Sequence, residues 1–210
     1  MRRAVIPIWD YALVTEPLSP EQRARIGWAN RQGVCDGGNR FHYYRLTSDD
    51  RILWGGYDAI YHFASGLRRE HQQRAESHAR LARHFFETFP QLEDVRFTHR
   101  WGGPIAGTTR FCLSVGSAFG GRVAWAIGYT GQGVGASRFG ARAALEQLAG
   151  EGETLGLELI RRAPVRWPPE PLRWLGVQLT QRALARADER GGRRGPWLRL
   201  LDRLGVGFDS

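Results

Sequence analysis

Lysine is missing from this chain, and all 30 basic residues are arginine. A surface shaped for charge would mix the two, so the bias belongs to the coding genome more than to a chemical role. The net charge of +9 is therefore weak evidence for a nucleic-acid partner. The arginines are scattered instead of gathered in a stripe, and no zinc-finger, RNP or helix-turn-helix pattern accompanies them, which argues against nucleic acid. Cysteine is scarce: Cys35 and Cys112 lie far apart and form neither a metal pair nor a redox motif. They are expected to be reduced thiols of a cytoplasmic protein. The histidines have no chelating pattern, since His71 and His78 are two helical turns apart and His78 and His84 fall on different faces, so no metal site is expected. No apolar run approaches the roughly 18 residues of a membrane span. Pro7, Asp10 and Glu16 interrupt the segment behind the basic start, which argues against a signal peptide. Internal repeats are absent. No nucleophile–base pair or carboxylate dyad is visible, so no catalytic residue is assigned.

What is present is enough apolar and aromatic material for a core, with a hydrophobic fraction of 42%. Residues 4–15 read as a strand. Ser19, Pro20 and Gln22 form a capping-box start for a short helix ending near Gly27. Residues 41–46 and 51–57 read as a hairpin around Thr47-Ser48-Asp49-Asp50. From Ser65 to Phe89 the period becomes helical, and Pro90 stops it. Asp94–Arg100 reads as a strand running into Trp101-Gly102-Gly103-Pro104 as a rigid bend. Residues 110–115 and 122–129 read as a second hairpin, and a helix is expected from Ser137 to about Leu148. Residues 161–171 carry four prolines and read as an extended linker; 172–190 and 196–204 read as basic helices. The fold class is α+β, with a mixed or antiparallel sheet, packed helices, a strand–glycine turn–helix and a helical tail.

The stretch from Trp125 to Gly140 is the most informative. An apolar strand, a glycine-rich turn and a helix start aim backbone N–H groups and a positive helix end at one point, where an anionic or electron-rich group would sit. Gly131, Gly133 and Ala136 match G-x-G-x-x-A, but no second strand ending in an acid follows, so a dinucleotide fingerprint is rejected. The structural alternative is a tight connection needing positive φ.

His99-Arg100-Trp101-Gly102-Gly103-Pro104-Ile105, then Thr108-Thr109-Arg110-Phe111, then Gly128-Tyr129-Thr130-Gly131-Gln132-Gly133-Val134-Gly135 resemble the C-terminal half of an FAD-dependent oxidoreductase. The family type is that of D-amino-acid oxidase, glycine oxidase and sarcosine oxidase, and within it the bacterial gamma-glutamylputrescine kind. The likeness extends upstream through Thr47 to Asp58 and covers roughly residues 1–150. It implies FAD as cofactor, oxidation of a C–N bond of a small-molecule amine or amino acid by hydride transfer, and four parts. Residues 1–100 would belong to a substrate domain, 101–150 to a returning flavin segment, 151–171 to a linker, and 172–210 to a helical extension. The Rossmann half that grips the ADP part of FAD is absent from this sequence and is the implied missing partner. The alternative is a non-catalytic fragment or subunit that docks on a separate Rossmann-bearing partner. Family members often carry His where Gln132 stands.

By this resemblance the flavin-facing residues are Trp101, Gly102, Gly103, Pro104, Gly128, Tyr129, Gly131, Gln132, Gly133, Val134 and Gly135. The substrate candidates are His42, Tyr44, Trp54, Tyr57 and Arg110. An aromatic cage suits an amine, and Arg110 suits a carboxylate; core packing for the aromatics and a solvated strand charge for Arg110 stand as alternatives. Strand alternation puts His42 and Tyr44 on one face and Tyr43 on the other, with the pocket face open.

Overall fold

The computed structural model describes residues 3–207. Its main sheet is antiparallel, in the order β2 (Val34–Cys35), β3 (His42–Leu46), β4 (Ile52–Gly56), β1 (Ile6–Thr15), β5 (Phe97–Gly107). Period-two alternation sorts the side chains into two faces. On one face Trp9, Tyr11 and Leu13 of β1, Ile52 and Trp54 of β4 and Leu46 of β3 are buried beneath helix α2 (Ala75–Thr88), which contributes Leu81 and Phe85. Leu81 and Phe85 are four residues apart and share one helix stripe. Each fully buried side chain of this size contributes roughly 1.5–3 kcal/mol relative to exposure.

Helix α1 (Pro20–Ile26) starts as its sequence dictates. The Ser19 backbone N–H donates to Gln22 Oε1 at 2.8 Å, the Gln22 N–H donates to Ser19 Oγ at 3.2 Å, and Gly27 closes the helix with φ 64°. Ser19→Ala is expected to cost about 1 kcal/mol, lowering the thermal midpoint by about 2–4 °C in a chain of this size; an unchanged midpoint in a melting curve contradicts that reading of the cap.

The helix expected over 65–89 begins ten residues later. Residues Phe63–Ser65 and Arg69–Gln72 are single 3₁₀ turns, with Ala64 and Ser65 at φ 56° and 60°. Tertiary hydrogen bonds hold this segment against the α2 face of the sheet: Tyr11 Oη donates to the His71 carbonyl at 2.9 Å and Trp9 Nε1 to the Gly66 carbonyl at 3.1 Å. The expected bend at Trp101–Pro104 is also absent, because β5 runs straight through it with Trp9 opposite Pro104 and Asp10 opposite Gly103. Proline fits here for two reasons. Strand β5 is a sheet edge, and Trp9 spends its own N–H and C=O on Ile60 on its other side, so the ladder asks nothing of the Pro104 nitrogen.

The second hairpin is β6 (Ser114–Ala118) and β7 (Val123–Ile127), shorter and shifted from the expected bounds. Helix α3 (Gly133–Ala149) follows, four residues earlier than expected, so Gly133 and Gly135 form its first turn. A one-turn helix α4 (Glu158–Arg161) precedes residues 162–171, which have no regular element, as the prolines imply. The tail folds as α5 (Leu172–Asp188) and α6 (Pro196–Arg203). Val177 and Trp174 of α5, with Trp167, pack on Ile6, Ile8 and Tyr61. No helix among the described residues is long and apolar enough to cross a membrane.

Candidate functional site

The glycine turn is fastened to the end of β5. Thr130 N–H donates to the Ala106 carbonyl at 3.1 Å, and Thr108 N–H donates to Thr130 Oγ1 at 3.3 Å. Thr130 has φ 51°, a conformation a β-branched residue avoids. Its hydroxyl compensates by also donating to the Gly128 carbonyl at 3.0 Å. Backbone strain of this kind persists where the surroundings over-determine it, often at ligand sites. Gly131 lies against Ile105, whose Cδ1 would be 3.7 Å from an added Cβ. Tyr129 is tucked under α3, where its hydroxyl would sit 2.3 Å from a Cβ at Gly140, so this flavin candidate supports the helix instead of facing outward.

The start of α3 is open. Gln132 occupies the cap position but its side chain makes no capping bond. Ala136 N–H to the Gln132 carbonyl at 3.1 Å is the first helical bond, and the N–H groups of Gly133, Val134 and Gly135 have no backbone or side-chain acceptor among the described residues. Val134 is 101% exposed, and a Cβ at Gly135 would meet nothing within 4 Å. Three unpartnered donors at the positive end of a 17-residue helix make an anion-favouring point.

The Trp101–Pro104 motif divides by strand alternation. Gly102 faces α2, where a Cβ would sit 2.6 Å from the Tyr11 ring; its smallness serves the core. Pro104 shares that side with Trp9. Trp101, Gly103 and Ile105 point the other way. Trp101 is 42% exposed, and a Cβ at Gly103 would meet nothing within 4 Å. Thus the turn, Ile105, Gly103 and Trp101 lie along the face of β5 away from α2, which is exposed at Trp101 and partly exposed at Gly103 and Ile105.

The expected substrate aromatics lie on the opposite face. His42 and Trp54 stack at 4.6 Å, Tyr44 and Trp54 tilt together at 4.8 Å, and Phe85 and Phe89 pack against Trp54. Trp54 is 1% and His42 8% exposed, so both are core under α2, and the partly buried Tyr44 packs against Trp54. Tyr57 stacks on His42 at 5.2 Å and carries the Arg40 guanidinium 4.0 Å over its ring. Arg110 is buried and donates to the carbonyls of Leu159, at 3.3 Å, and Arg162. These bonds satisfy the open end of α4, an arginine's ordinary role at a helix C-terminus.

The face away from α2 carries Tyr43, an aromatic candidate by its strand, and beside it an acid that no motif marks. Tyr43 Oη donates to Asp10 Oδ2 at 2.7 Å. Burial pushes the Asp10 carboxyl above its ordinary value against the pull of that hydrogen bond, and burial with the nearby Asp10 charge pushes the Tyr43 phenol up. The available signal was a lone acid in the middle of a ten-residue apolar strand. Two histidine pairs also escaped notice: His42 Nδ1 contacts Asp36 Oδ2 at 2.7 Å while its Nε2 meets His84 Nδ1 at 2.9 Å, and His62 and His71 stack at 3.5 Å.

The family described as DAO, FAD dependent oxidoreductase, matches residues 1–166. A "Probable oxidoreductase OrdL" of Haemophilus influenzae is 27% identical over 157 residues, covering 75% of this chain and 33% of the relative. The "Gamma-glutamylputrescine oxidoreductase" of Escherichia coli K12 is 30% identical over 151 residues, 70% of this chain and 32% of the relative. The chain thus spans about a third of the length of the curated relatives it matches. Among solved structures, an L-proline dehydrogenase from P. horikoshii superposes with a TM-score of 0.60 at 18% identity, covering 75% of this chain and 39% of the other. A glycine oxidase from Geobacillus kaustophilus gives 0.59 at 16%, with 77% and 40% covered. These likenesses show a shared fold. With the family matched across most of its length, the chain belongs to the FAD-dependent oxidoreductases.

Proposed function

We propose that this chain supplies the substrate-facing sheet and the flavin-facing turn of an enzyme that oxidises a C–N bond of an amine or amino acid. The observation that carries the reading is the open main-chain cradle from Gly131 to Gly135, set on the same strand face as Gly103 and Trp101. The residues present fit the cofactor. Three N–H donors lack an acceptor among the described residues, and no side chain fills the space at Gly103 or Gly135. Bound there, FAD supplies the electron sink for hydride removal from the carbon beside a nitrogen. Gly133, Val134 and Gly135 present their N–H groups, with the helix end behind them, to negative charge that develops on reduction. Gly103 lets a planar group lie against β5, and Trp101 bounds it. Thr130 holds the turn in register with β5 through its three hydrogen bonds.

The ADP end of the cofactor is assigned to a Rossmann-bearing segment or partner polypeptide. A second reading, a non-catalytic subunit docking on such a partner, is favoured by the β6–β7 ribbon. It is a two-stranded sheet that packs against α3 and whose outer edges are unpaired among the described residues, and an unpaired edge is a template for another chain.

The test is spectroscopic. FAD is added to the chain, alone and with a Rossmann-bearing polypeptide of the family, and bound-flavin absorbance is followed before and after an anaerobic amine. Flavin bound and bleached supports the enzyme; flavin bound but never bleached by any amine or amino acid supports the docking subunit; no bound flavin in either mixture sinks both. Gly135→Ala separates stability from binding. Alanine in the first turn of α3 should stabilise the chain by up to about 1 kcal/mol, while its methyl group intrudes on the cradle and weakens FAD by about tenfold. A melting curve and a flavin titration on the same protein check both halves.

A further inference from the structure

The sheet face away from α2, buried at Ile6, Ala12 and Val14 and less covered at Asp10, Gly103 and Trp101, has a charge pattern of its own. Across the strands, Tyr43, Gly55, Ala12 and Trp101 are in register and form one row, with Asp10 and Gly103 in the next row toward the glycine turn. The Tyr43 ring lies flat over Gly55, where a Cβ would come within 2.5 Å of it, and this brings its hydroxyl to Asp10. No Arg or His nitrogen lies within 4 Å of the Asp10 carboxylate among the described residues. In a chain of net charge +9 an uncompensated, half-buried acid is conspicuous. The basic side chains of the strands on this face, Arg45 and His99, belong to the row on the far side of Tyr43, with Leu53 and Val14 between them. Arg110 is committed to α4.

We propose that Asp10, oriented by Tyr43, is the residue that binds the cationic nitrogen of the amine substrate. This rests on the reading of this face as flavin-facing. The position suits that role. Asp10 stands beside Gly103, the point on β5 where a planar group can approach, and a carboxylate with two oxygens can accept from an ammonium while still accepting from Tyr43. An ammonium also relieves the cost of holding an unpaired negative charge in a poorly hydrated setting. Trp101, at the end of the aromatic row, offers an apolar and π-rich surface for the alkyl part and the charge.

The test reads binding to the chain and needs no flavin. Butylamine, butanol and butyrate are titrated at neutral pH while proton–nitrogen NMR follows the Trp101 indole and the Gly103 amide. Butylammonium should move both signals and bind at least about tenfold tighter than butanol, with butyrate weakest. Asp10→Asn should bring the amine-to-alcohol ratio close to one. Tyr43→Phe should keep the ratio above one but weaken the amine by roughly two- to tenfold. A merely structural role for Asp10 would leave the ratio unchanged. The proposal is overturned if the wild-type chain prefers butanol or butyrate, or binds none of the three. It is also overturned if Asp10→Asn keeps the preference. Should Asn unfold the chain, an unchanged amine affinity in Tyr43→Phe overturns it instead. Loss of the ratio in Asp10→Asn, in a chain that never takes up FAD, would retain the cation site and discard the flavin reading; the converse result would do the opposite.

Discussion

Asp58→Ala should destabilise the chain by about 3 kcal/mol, enough to drop its thermal midpoint by roughly 6–12 °C. Asp58 follows β4, is 3% exposed, and gathers three arginines. Arg40 approaches it at 2.9 Å, Arg80 at 2.5 Å and Arg74 at 3.8 Å, and Ser77 Oγ donates to it at 2.6 Å. Arg74 and Arg80 come from α2 and its entry, whereas Arg40 comes from the segment that docks on Asp188 of α5. One carboxylate therefore ties the sheet, its covering helix and the tail together. Without it, three like charges would face one another across a buried gap. The cost stands at the low end for a broken buried pair because all three guanidinium groups reach water. Arg80→Ala, which leaves two arginines on Asp58, should cost clearly less. Equal losses for the two variants in urea melts would refute the hub.

Gly128→Ala should cost about 2–4 kcal/mol and abolish flavin uptake together. Gly128 has φ 73°, and a Cβ there would sit 2.2 Å from Thr108 Cγ2 and 3.0 Å from Val5 Cγ1. Thr108 cannot retreat, being fully buried with its hydroxyl donating to the Cys112 carbonyl at 2.8 Å. The strand-to-turn junction would have to move, carrying Thr130 and the cradle off β5. Pairing the change with Thr108→Ser removes the offending methyl and keeps the hydroxyl. The double variant should recover part of the stability but not the part owed to the left-handed backbone. If it recovers nothing, or if Gly128→Ala binds FAD normally, the packing argument fails.

Local chemistry was legible wherever neighbours in sequence decide the outcome. Ser19, Pro20 and Gln22 satisfy the first turn of α1 without help from afar. Thr47 to Asp50 close the first hairpin, and the glycine-rich turn ahead of α3 falls where its residues require it. The motifs carried the family as well, since His99–Ile105 and Gly128–Gly135 lie inside the matched region. Less legible were choices that depend on what packs from a distance. The 63–72 segment has a helical period, yet hydrogen bonds from Trp9 and Tyr11 hold it in 3₁₀ turns. Pro104 reads as a bend until the strand is known to be an edge.

The face of each strand is the sharpest case. Alternation alone separated His42 and Tyr44 from Tyr43, because successive side chains in a strand must point to opposite sides. It carries no information on which side the next element covers. Helix α2 lies on the His42 side, and that choice made Trp54 core and left Asp10, Tyr43, Gly103 and Trp101 on the other face. The sequence by itself determined the strands, the turn and the chemistry in reach of them, since those follow from backbone preference and spacing. Only the tertiary structure decided which of the two surfaces α2 covers and which part of the other stays accessible at Gly103 and Trp101, because burial is settled by contacts between residues far apart in the chain.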